Sequence, residues 1–236
     1  MKKHLKWIIP LGVPVLLASA FFVYVNIYYH ADDEARRALS SDAGVTVSET
    51  DYGWFFDGPS REDALIFYPG AKVEAAAYAP LLHELAAEGM DVCLVKMPFN
   101  LAFLGMNKAD DVMKTYEYEH WYVGGHSLGG AVAANYAAAS GEGLTGLILC
   151  AAYPTKELDD SLLMISIYGS RDGVLNREKV DEGRAFAPPA ACELVIEGGN
   201  HAEFGSYGAQ DGDGEASISA EAFREAAVDF VIRHKR

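Results

Sequence analysis

The sequence predicts an α/β domain with a mainly parallel β-sheet and helices on both faces of that sheet. Short apolar runs recur along the chain without alternating polar residues, which is typical of strands that are buried on both faces. Segments with helical spacing of apolar residues separate these runs, and this alternation indicates strands joined by crossover helices. At 236 residues, half of them hydrophobic, the chain is long enough for one well-packed domain and an additional segment.

The predicted elements follow one another from residue 45 to the end of the chain. Residues 45–49 and 52–57 predict two strands joined by a turn, and residues 98–119 predict a loop that leads into a helix. Buried strands are predicted at residues 64–70 and 91–97, and further strands at residues 121–125, 144–153, 162–170 and 191–199. Helices are predicted at residues 78–88, 131–139, 176–186 and 219–235. The connection between the strands at 144–153 and 162–170 is too short for a large lid domain.

Residues 1–30 predict a membrane anchor that is separate from this domain. Lysines precede an apolar stretch at residues 7–29, and acidic residues follow it. As a helix, this stretch is long enough to cross a hydrocarbon core of about 30 Å. Lysine resists translocation, so the charge asymmetry predicts a single-pass membrane protein whose C-terminal domain lies outside the cytoplasm. Residues 31–44 are then a polar connector, and residues 45–236 are the α/β domain.

Two alternatives to an uncleaved anchor stay open. Ala18-Ser19-Ala20 has the small-x-small form of a cleavage site, and cleavage there would make the domain a secreted protein. The stretch is also compatible with a buried core helix. Because the apolar run continues beyond Ala20 to residue 29, the uncleaved anchor is the preferred interpretation.

Charge and cysteine content exclude several classes of function. The formal net charge of −15 disfavours nucleic acid and anionic lipid headgroups as partners, since both are recognised by basic surfaces. Cys93, Cys150 and Cys192 are isolated in apolar, strand-like runs and form no metal-binding pattern. We therefore expect small buried hydrophobic side chains at these positions, with no metal and no cofactor.

The motif GGHSLGG, residues 124–130, places Ser127 between a predicted strand and a predicted helix. Gly125 and Gly129, two residues before and after the serine, allow a sharp strand-to-helix turn without a Cβ clash. Such a turn exposes the serine hydroxyl near the positive end of the following helix. The motif therefore predicts a nucleophilic serine, and its alternative is a glycine-rich turn with a capping serine.

A serine nucleophile needs a general base and an acid that orients the base. Among the seven histidines, His201 follows a predicted strand in a glycine-flanked loop, and we expect it to be the base. His126 adjoins the serine, but neighbouring side chains diverge at a tight turn, so we expect it to pack below the site. Asp172, in the loop after the preceding strand, is the predicted acid. The alternatives are a solvated loop histidine and a turn aspartate before Gly173.

Serine, aspartate and histidine in this chain order occur in the serine α/β-hydrolases, which this sequence resembles. The resemblance is narrower to the bacterial fold-5 group related to the dienelactone hydrolases. The matching segments are FYPGAKVEAAAYAPLLHELA, VKMPFNLAFLG, GGHSLGGAVAANYA, YGSRDGV and GGNHAEFGSYGAQDGDGEASIS. The resemblance implies an α/β-hydrolase fold with Ser127 as nucleophile, Asp172 as acid and His201 as base.

The resemblance also implies an oxyanion hole formed by two backbone N–H groups. One is expected at Leu128, directly after the nucleophile, and the other at Ala71 in the loop after YPG, with Lys72 as the alternative. Dienelactone hydrolases use cysteine as their nucleophile, whereas this chain has serine, which favours simple ester hydrolysis. We therefore predict a carboxylesterase-like serine hydrolase that cleaves small or short-chain esters through an acyl-enzyme intermediate.

Two alternative functions stay open. An acyltransferase with the same triad would pass the acyl group to an alcohol or amine, and a binding module would keep the fold without turnover. Neither alternative requires a cofactor.

Two further features of the loops bear on the site. The acidic turn DGDGE, residues 211–215, does not fit the EF-hand pattern, so we expect a polar loop near the mouth of the site. Apolar residues in loops that should surround the site are candidates for an acyl pocket, although ordinary packing is an equal alternative. These residues are Phe99, Leu101, Phe103, Phe204 and Tyr207.

Overall fold

The computed structural model describes the backbone of residues 2–236 and the side chains of residues 13–236. The strands of its sheet, in chain order from β1 to β8, are Thr46–Thr50, Gly53–Asp57, Asp63–Tyr68, Asp91–Val95, His120–His126, Leu144–Cys150, Leu163–Gly169 and Ala190–Ile196. Their spatial order is β1-β2-β4-β3-β5-β6-β7-β8. Strands β3 to β8 run parallel, whereas β2 is antiparallel to both β1 and β4. The mainly parallel sheet predicted from the sequence is confirmed.

Helices cover both faces of this sheet, as predicted. The helices α1 to α7 are Lys2–Asn26, Asp33–Arg37, Ala79–Ala87, Lys108–Met113, Leu128–Ser140, Arg177–Gly183 and Ala220–His234. One core layer contains buried side chains of α3 and α7, and the other contains those of α4 and α5.

Successive residues of the central strands supply these two layers in turn. In β3, Leu65 and Phe67 belong to the layer under α3 and α7, whereas Ala64 and Ile66 belong to the layer under α4 and α5. All four side chains are buried. Burial on both faces explains why the strand is one continuous apolar run in the sequence.

Strand β6 ends at Cys150, before the predicted end at residue 153. The cause is local, because Ala151 has a positive φ of 49°, which turns the chain out of the sheet. Within the described chain, the segment from Ala151 to the start of β7 contains no helix or strand. The short connection predicted between these two strands is therefore confirmed.

The N-terminal helix α1 ends at Asn26, before the end of the apolar stretch at residue 29. Tyr29 instead joins the domain, because its N–H donates to the Lys72 carbonyl (2.7 Å) and its carbonyl accepts the Glu74 N–H (2.9 Å). Among the residues with described side chains, no helix has the length and apolarity needed to cross a membrane. Residues 7–12 of the predicted span lie outside that range. The predicted membrane anchor thus gains no support from this structure.

Residues 31–44, predicted as a polar connector, contain helix α2 and pack on the α/β domain. Ala31 and Ala35 are buried in the core layer that also contains α3 and α7. The Asp32 N–H donates to the carbonyl of Ser206 (3.0 Å), in the loop after β8. This segment is therefore attached to a loop at the carboxyl edge of the sheet.

Candidate active site

Ser127 lies at the turn between β5 and α5, at the carboxyl edge of the sheet. Its backbone angles, φ 52° and ψ −123°, fall in a region that residues with a Cβ rarely adopt. The Ser127 N–H donates to the Cys150 carbonyl (2.9 Å) at the end of the neighbouring strand β6. The strained strand-to-helix turn predicted from GGHSLGG is present, and the helix begins directly after the serine, earlier than the predicted residue 131.

Gly125 and Gly129 are required by the close packing around this turn. A Cβ on Gly125 would lie 2.4 Å from the carbonyl oxygen of Tyr68, and a Cβ on Gly129 would lie 2.1 Å from the same oxygen. The start of α5 therefore packs directly against the end of β3. The loop that begins there, residues 69–72, is called the oxyanion loop after its predicted role. A larger residue at either position would push these segments apart.

The structure brings His201 and Asp172 together at this edge of the sheet. His201 Nδ1 donates a hydrogen bond to Asp172 Oδ2 (2.8 Å), and both side chains are buried. The other carboxylate oxygen, Oδ1, accepts the N–H groups of Val174 (2.9 Å) and Leu175 (2.7 Å). These contacts fix the carboxylate, which in turn fixes the imidazole ring with Nε2 directed away from the acid.

The second ring nitrogen, His201 Nε2, is buried and forms no hydrogen bond with any described residue, Ser127 included. The His201 ring lies 4.4 Å, centroid to centroid, from the ring of His126, which directly precedes Ser127. His201, Asp172 and the serine turn therefore form one cluster, in which Nε2 has no hydrogen-bond partner among the described residues. In structures without substrate, the contact between base and nucleophile is often long or poorly aligned.

His126 connects the serine turn to the oxyanion loop. Its Nδ1 lies 2.8 Å from the Tyr78 hydroxyl, whose oxygen also accepts the Gly70 N–H (3.0 Å). Burial, followed by the nearby His201 side chain, lowers the pKa of His126 well below its usual value. In the neutral ring, Nδ1 accepts the hydrogen bond that the Tyr78 hydroxyl donates. His126 is thus buried between the serine turn and Tyr78, and it helps to hold the loop of residues 69–72.

Sequence reasoning did not identify Tyr78 as part of this site. The residue ends the short 3-10 helix Ala75–Tyr78, and its side chain is fully buried. Burial raises the pKa of its hydroxyl well above the usual value, so the group stays protonated. Three alanines precede it, and the local pattern indicates only a helical segment. The available signal was general: a tyrosine hydroxyl that is buried needs a hydrogen-bond partner.

The first predicted oxyanion donor, the Leu128 N–H, belongs to the first residue of α5. The first N–H groups of an α-helix have no partner within the helix, so this donor is available to a ligand. It also lies at the positive end of the helix dipole, which favours negative charge.

The second predicted donor lies in the oxyanion loop, where three of the four positions are excluded. Pro69 has no N–H, Gly70 donates to the tyrosine hydroxyl, and Lys72 donates to the Asn100 carbonyl (2.9 Å). Ala71 is the remaining N–H of this loop. The contacts therefore favour Ala71 over Lys72.

Backbone strain is concentrated at this edge of the sheet. The described non-glycine residues with positive φ are Lys72, Phe99, Asn100, Ser127 and Ala151. Each of them lies in a loop that follows one of the parallel strands β3, β4, β5 or β6. Such conformations cost about 1–3 kcal/mol each and cluster at functional sites.

The apolar loop residues divide into two groups. Leu101, Phe204 and Tyr207 are buried and contribute to packing, whereas Phe99 and Phe103 are 47% and 57% exposed. The exposed pair lies in the loop after β4, which also accepts a hydrogen bond from the oxyanion loop. Of the five candidates for an acyl pocket, these two are exposed, and the Phe99 ring also lies 5.4 Å, centroid to centroid, from the ring of Phe21 in α1.

The cysteines lie where apolar packing was predicted, since Cys93 and Cys150 are buried and Cys192 is partly buried. All three are free thiols. Among residues 13–236, no group of three or more histidine, cysteine, aspartate or glutamate side chains is arranged to hold a metal ion.

The sequence pattern of the alpha/beta hydrolase family matches residues 64–225, a span that includes the serine turn, Asp172 and His201. The chain belongs to the alpha/beta hydrolase family. Among curated proteins, no sequence matches this chain significantly.

Solved structures with the same fold include several esterases. The dienelactone hydrolase from Anabaena variabilis has a TM-score of 0.57 at 12% identity, with 83% of this chain and 99% of that chain covered. Est1E from Butyrivibrio proteoclasticus, solved with ferulic acid bound, has a TM-score of 0.57 at 14% identity, covering 82% and 97%. The esterase Pf2001 from Pyrococcus furiosus has a TM-score of 0.55 at 14% identity, covering 86% and 94%. At these identities the similarity concerns the fold alone.

Proposed function

We propose that this protein is a serine hydrolase that cleaves small or short-chain carboxylic esters through an acyl-enzyme intermediate. The observation that carries the proposal is the buried hydrogen bond between His201 and Asp172. His201 Nε2 has no hydrogen-bond partner among the described residues, and the His201 ring lies 4.4 Å, centroid to centroid, from the ring of His126, the residue before Ser127. Membership of the alpha/beta hydrolase family and the esterases among its structural neighbours support the same class.

In the proposed reaction, His201 Nε2 removes the proton of the Ser127 hydroxyl as the oxygen attacks the ester carbonyl carbon. The Leu128 and Ala71 N–H groups stabilise the negative charge that develops on the carbonyl oxygen. The imidazolium then gives its proton to the leaving alcohol, and Asp172 stabilises the charged ring. Water, deprotonated by the same imidazole, attacks the acyl-enzyme and releases the carboxylic acid together with the free serine.

The oxyanion donors explain why the loop after β3 is held so tightly. Removing one such donor typically costs about 3 kcal/mol of transition-state stabilisation. Three contacts hold this loop: Gly70 to the Tyr78 hydroxyl, Lys72 to the Asn100 carbonyl, and the carbonyl of Lys72 to Tyr29. In the proposed mechanism, these contacts preorganise the Ala71 N–H before the substrate arrives.

The test is hydrolysis of a panel of p-nitrophenyl esters of increasing acyl length by the full chain. Wild type should hydrolyse the short esters, and Ser127→Ala should lower kcat by about a thousandfold or more. Ser140→Ala, an exposed serine at the end of α5, is the matched control and should retain wild-type activity. Equal rates for wild type and Ser127→Ala would refute the proposal.

The same panel separates the two alternative functions. Addition of alcohols or amines should leave the carboxylic acid as the main product, whereas predominant transfer to the acceptor would indicate an acyltransferase. Absence of turnover, together with failure of a fluorophosphonate probe to label wild type, would indicate a binding module.

The location of the domain outside the cytoplasm stays a prediction from the charge asymmetry of residues 1–30. Mass spectrometry of the mature protein tests it together with cleavage. An intact N-terminus in the membrane fraction would agree with an anchor, and an N-terminus at Phe21 would indicate a cleaved signal peptide.

A further inference from the structure

The acidic turn at residues 211–215 is attached to both loops that present the proposed base and acid. Asp213 Oδ1 accepts the N–H groups of His201 (3.2 Å), Gly173 (3.0 Å) and Gly214 (2.8 Å). Its Oδ2 accepts the N–H of Ala202 (2.9 Å). Gly173 directly follows Asp172. A single carboxylate therefore holds the backbone of the loop after β7, which carries Asp172 (the acid loop), and that of the loop after β8, which carries His201 (the base loop).

We propose that Asp213 is a positioning residue for the His201–Asp172 pair, an inference that rests on the proposed hydrolase function. Three backbone N–H groups share Oδ1 and the fourth reaches Oδ2, so both carboxylate oxygens act as acceptors. Hydrogen bonds to an ionised acceptor are stronger than those between neutral groups. Asp213 therefore fixes the distance between the two loops, and it does so without touching a reacting atom.

The packing between these loops shows why this acceptor is needed. A Cβ on Gly214 would lie 1.9 Å from the Arg171 carbonyl oxygen, and a Cβ on Gly173 would lie 2.7 Å from the Gly212 carbonyl oxygen. The Asn200 side chain adds a hydrogen bond from Nδ2 to the Gly214 carbonyl (2.8 Å). The acidic turn is therefore inserted tightly beside the acid loop and the residue before the base.

The arrangement also accounts for the composition of DGDGE. Gly214 permits the close approach, Gly212 takes a positive φ of 83°, and the central aspartate supplies the acceptor. Asp211, in contrast, is exposed, and its side chain has no described hydrogen bond. The two aspartates of this turn thus carry the same charge but differ in structural role, which offers a matched pair of variants.

The test compares Asp213→Asn with Asp211→Asn in the full chain. The amide introduced by Asp213→Asn would keep the shape of the side chain but would direct N–H protons at backbone donors, so the two loops separate. A misplacement of about 1 Å typically lowers the rate about hundredfold. We expect Asp213→Asn to lower kcat by about that factor with little change in KM, while Asp211→Asn keeps wild-type values.

A second readout does not depend on turnover. The proton in the His201–Asp172 hydrogen bond should give a low-field proton NMR resonance, assigned by its loss in Asp172→Ala. We expect Asp213→Asn to shift or broaden this resonance and Asp211→Asn to leave it unchanged. A variant with a purely structural defect elsewhere would lower the thermal midpoint without this effect.

The outcomes separate the inference from the proposed function. Wild-type kcat or an unchanged resonance in folded Asp213→Asn overturns the positioning role. If wild type hydrolyses no ester, the proposed function fails, and the resonance alone then decides the positioning role. If Asp213→Asn does not fold, Asp213→Glu takes its place, because it keeps the charge but displaces both oxygens; full activity there overturns the inference.

Discussion

At the scale of single residues, the site depends on hydrogen bonds between buried polar groups. Tyr78 is the clearest case, because its hydroxyl contacts both the Gly70 N–H and His126 Nδ1. Leaving a buried donor or acceptor without a partner costs about 1–3 kcal/mol. The same contact positions the oxyanion loop, so its loss should affect both stability and catalysis.

We therefore expect Tyr78→Phe to lower the free energy of unfolding by about 1–3 kcal/mol and also to lower kcat. Tyr116→Phe is the matched control, since its hydroxyl contacts the Tyr52 hydroxyl (3.0 Å) away from the proposed site. That variant should lose stability alone. Urea unfolding and steady-state kinetics measure the two effects. Wild-type kcat in Tyr78→Phe would contradict the role of the tyrosine in positioning the loop.

His126 should make the stability of the fold depend on pH. Its pKa in the folded state lies well below its usual value of about 6.5, mainly because of burial. The unfolded chain then binds the proton more readily, so the stabilisation is complete above the unfolded pKa and is lost as the pH falls below it. The dependence on pH arises because the His126 ring is buried only in the folded state, where burial disfavours its protonated form.

Between about pH 7 and about pH 5, wild type should lose more free energy of unfolding than His126→Asn. His234→Asn, at an exposed histidine near the end of α7, should retain the wild-type dependence on pH. Urea titrations at each pH measure the difference. Parallel curves for wild type and His126→Asn would show that this histidine does not contribute.

At the scale of elements, the segment around Tyr29 connects two loops of the site. Besides its backbone bonds to Lys72 and Glu74, the Tyr29 hydroxyl accepts the Asp211 N–H (3.0 Å). Its ring lies 5.5 Å from the ring of Tyr207. The segment thus contacts the oxyanion loop on one side and the loop after β8 on the other.

Tyr29→Ala should therefore lower both the thermal midpoint and kcat. Tyr28→Ala is the control, because the neighbouring ring contacts only His30 among the described aromatic side chains (4.3 Å). Differential scanning calorimetry and ester hydrolysis measure the two effects. If both variants behave alike, the segment is a passive connection between α1 and the domain.

The order and type of the main elements were predictable because the strands β3 to β7 are largely buried on both faces and the long helices of the domain have an apolar side. Boundaries were less predictable, as Cys150 and Leu128 illustrate. Strand β6 ends at Cys150, earlier than predicted, because Ala151 takes a left-handed conformation. Helix α5 begins at Leu128, also earlier than predicted, because packing keeps the buried Gly129 and Gly130 helical. Both deviations depend on contacts with other strands, which the local sequence does not contain.

The same limit applies to the site. Ser127, His201 and Asp172 could be proposed from the sequence because chain order and strand-end loops restrict the choice, and their roles stay predictions. The hydrogen bonds of Tyr78 and Asp213 could not be proposed, because the local sequence pattern around each residue does not specify its partners. Their contacts exist only once several loops meet at one edge of the sheet.

At the scale of the whole molecule, the net charge of −15 should influence which esters reach the site. Long-range repulsion lowers the rate at which anionic substrates associate, and at physiological ionic strength salt screens this repulsion at distances beyond the Debye length of about 8 Å. We expect kcat/KM for an ester that carries one free carboxylate group to rise with added salt. For a neutral ester of the same size, kcat/KM should stay constant. An equal response of both esters would contradict this electrostatic effect.

The most direct measurement of the central claim is the location of a covalent adduct. Wild-type protein treated with a fluorophosphonate is digested, and the modified peptide is sequenced by mass spectrometry, with Ser127→Ala and His201→Ala treated in parallel. We predict one adduct, on Ser127, absent in the first variant and strongly slowed in the second. An adduct on another residue, or labelling that survives Ser127→Ala, would contradict the assignment of the nucleophile.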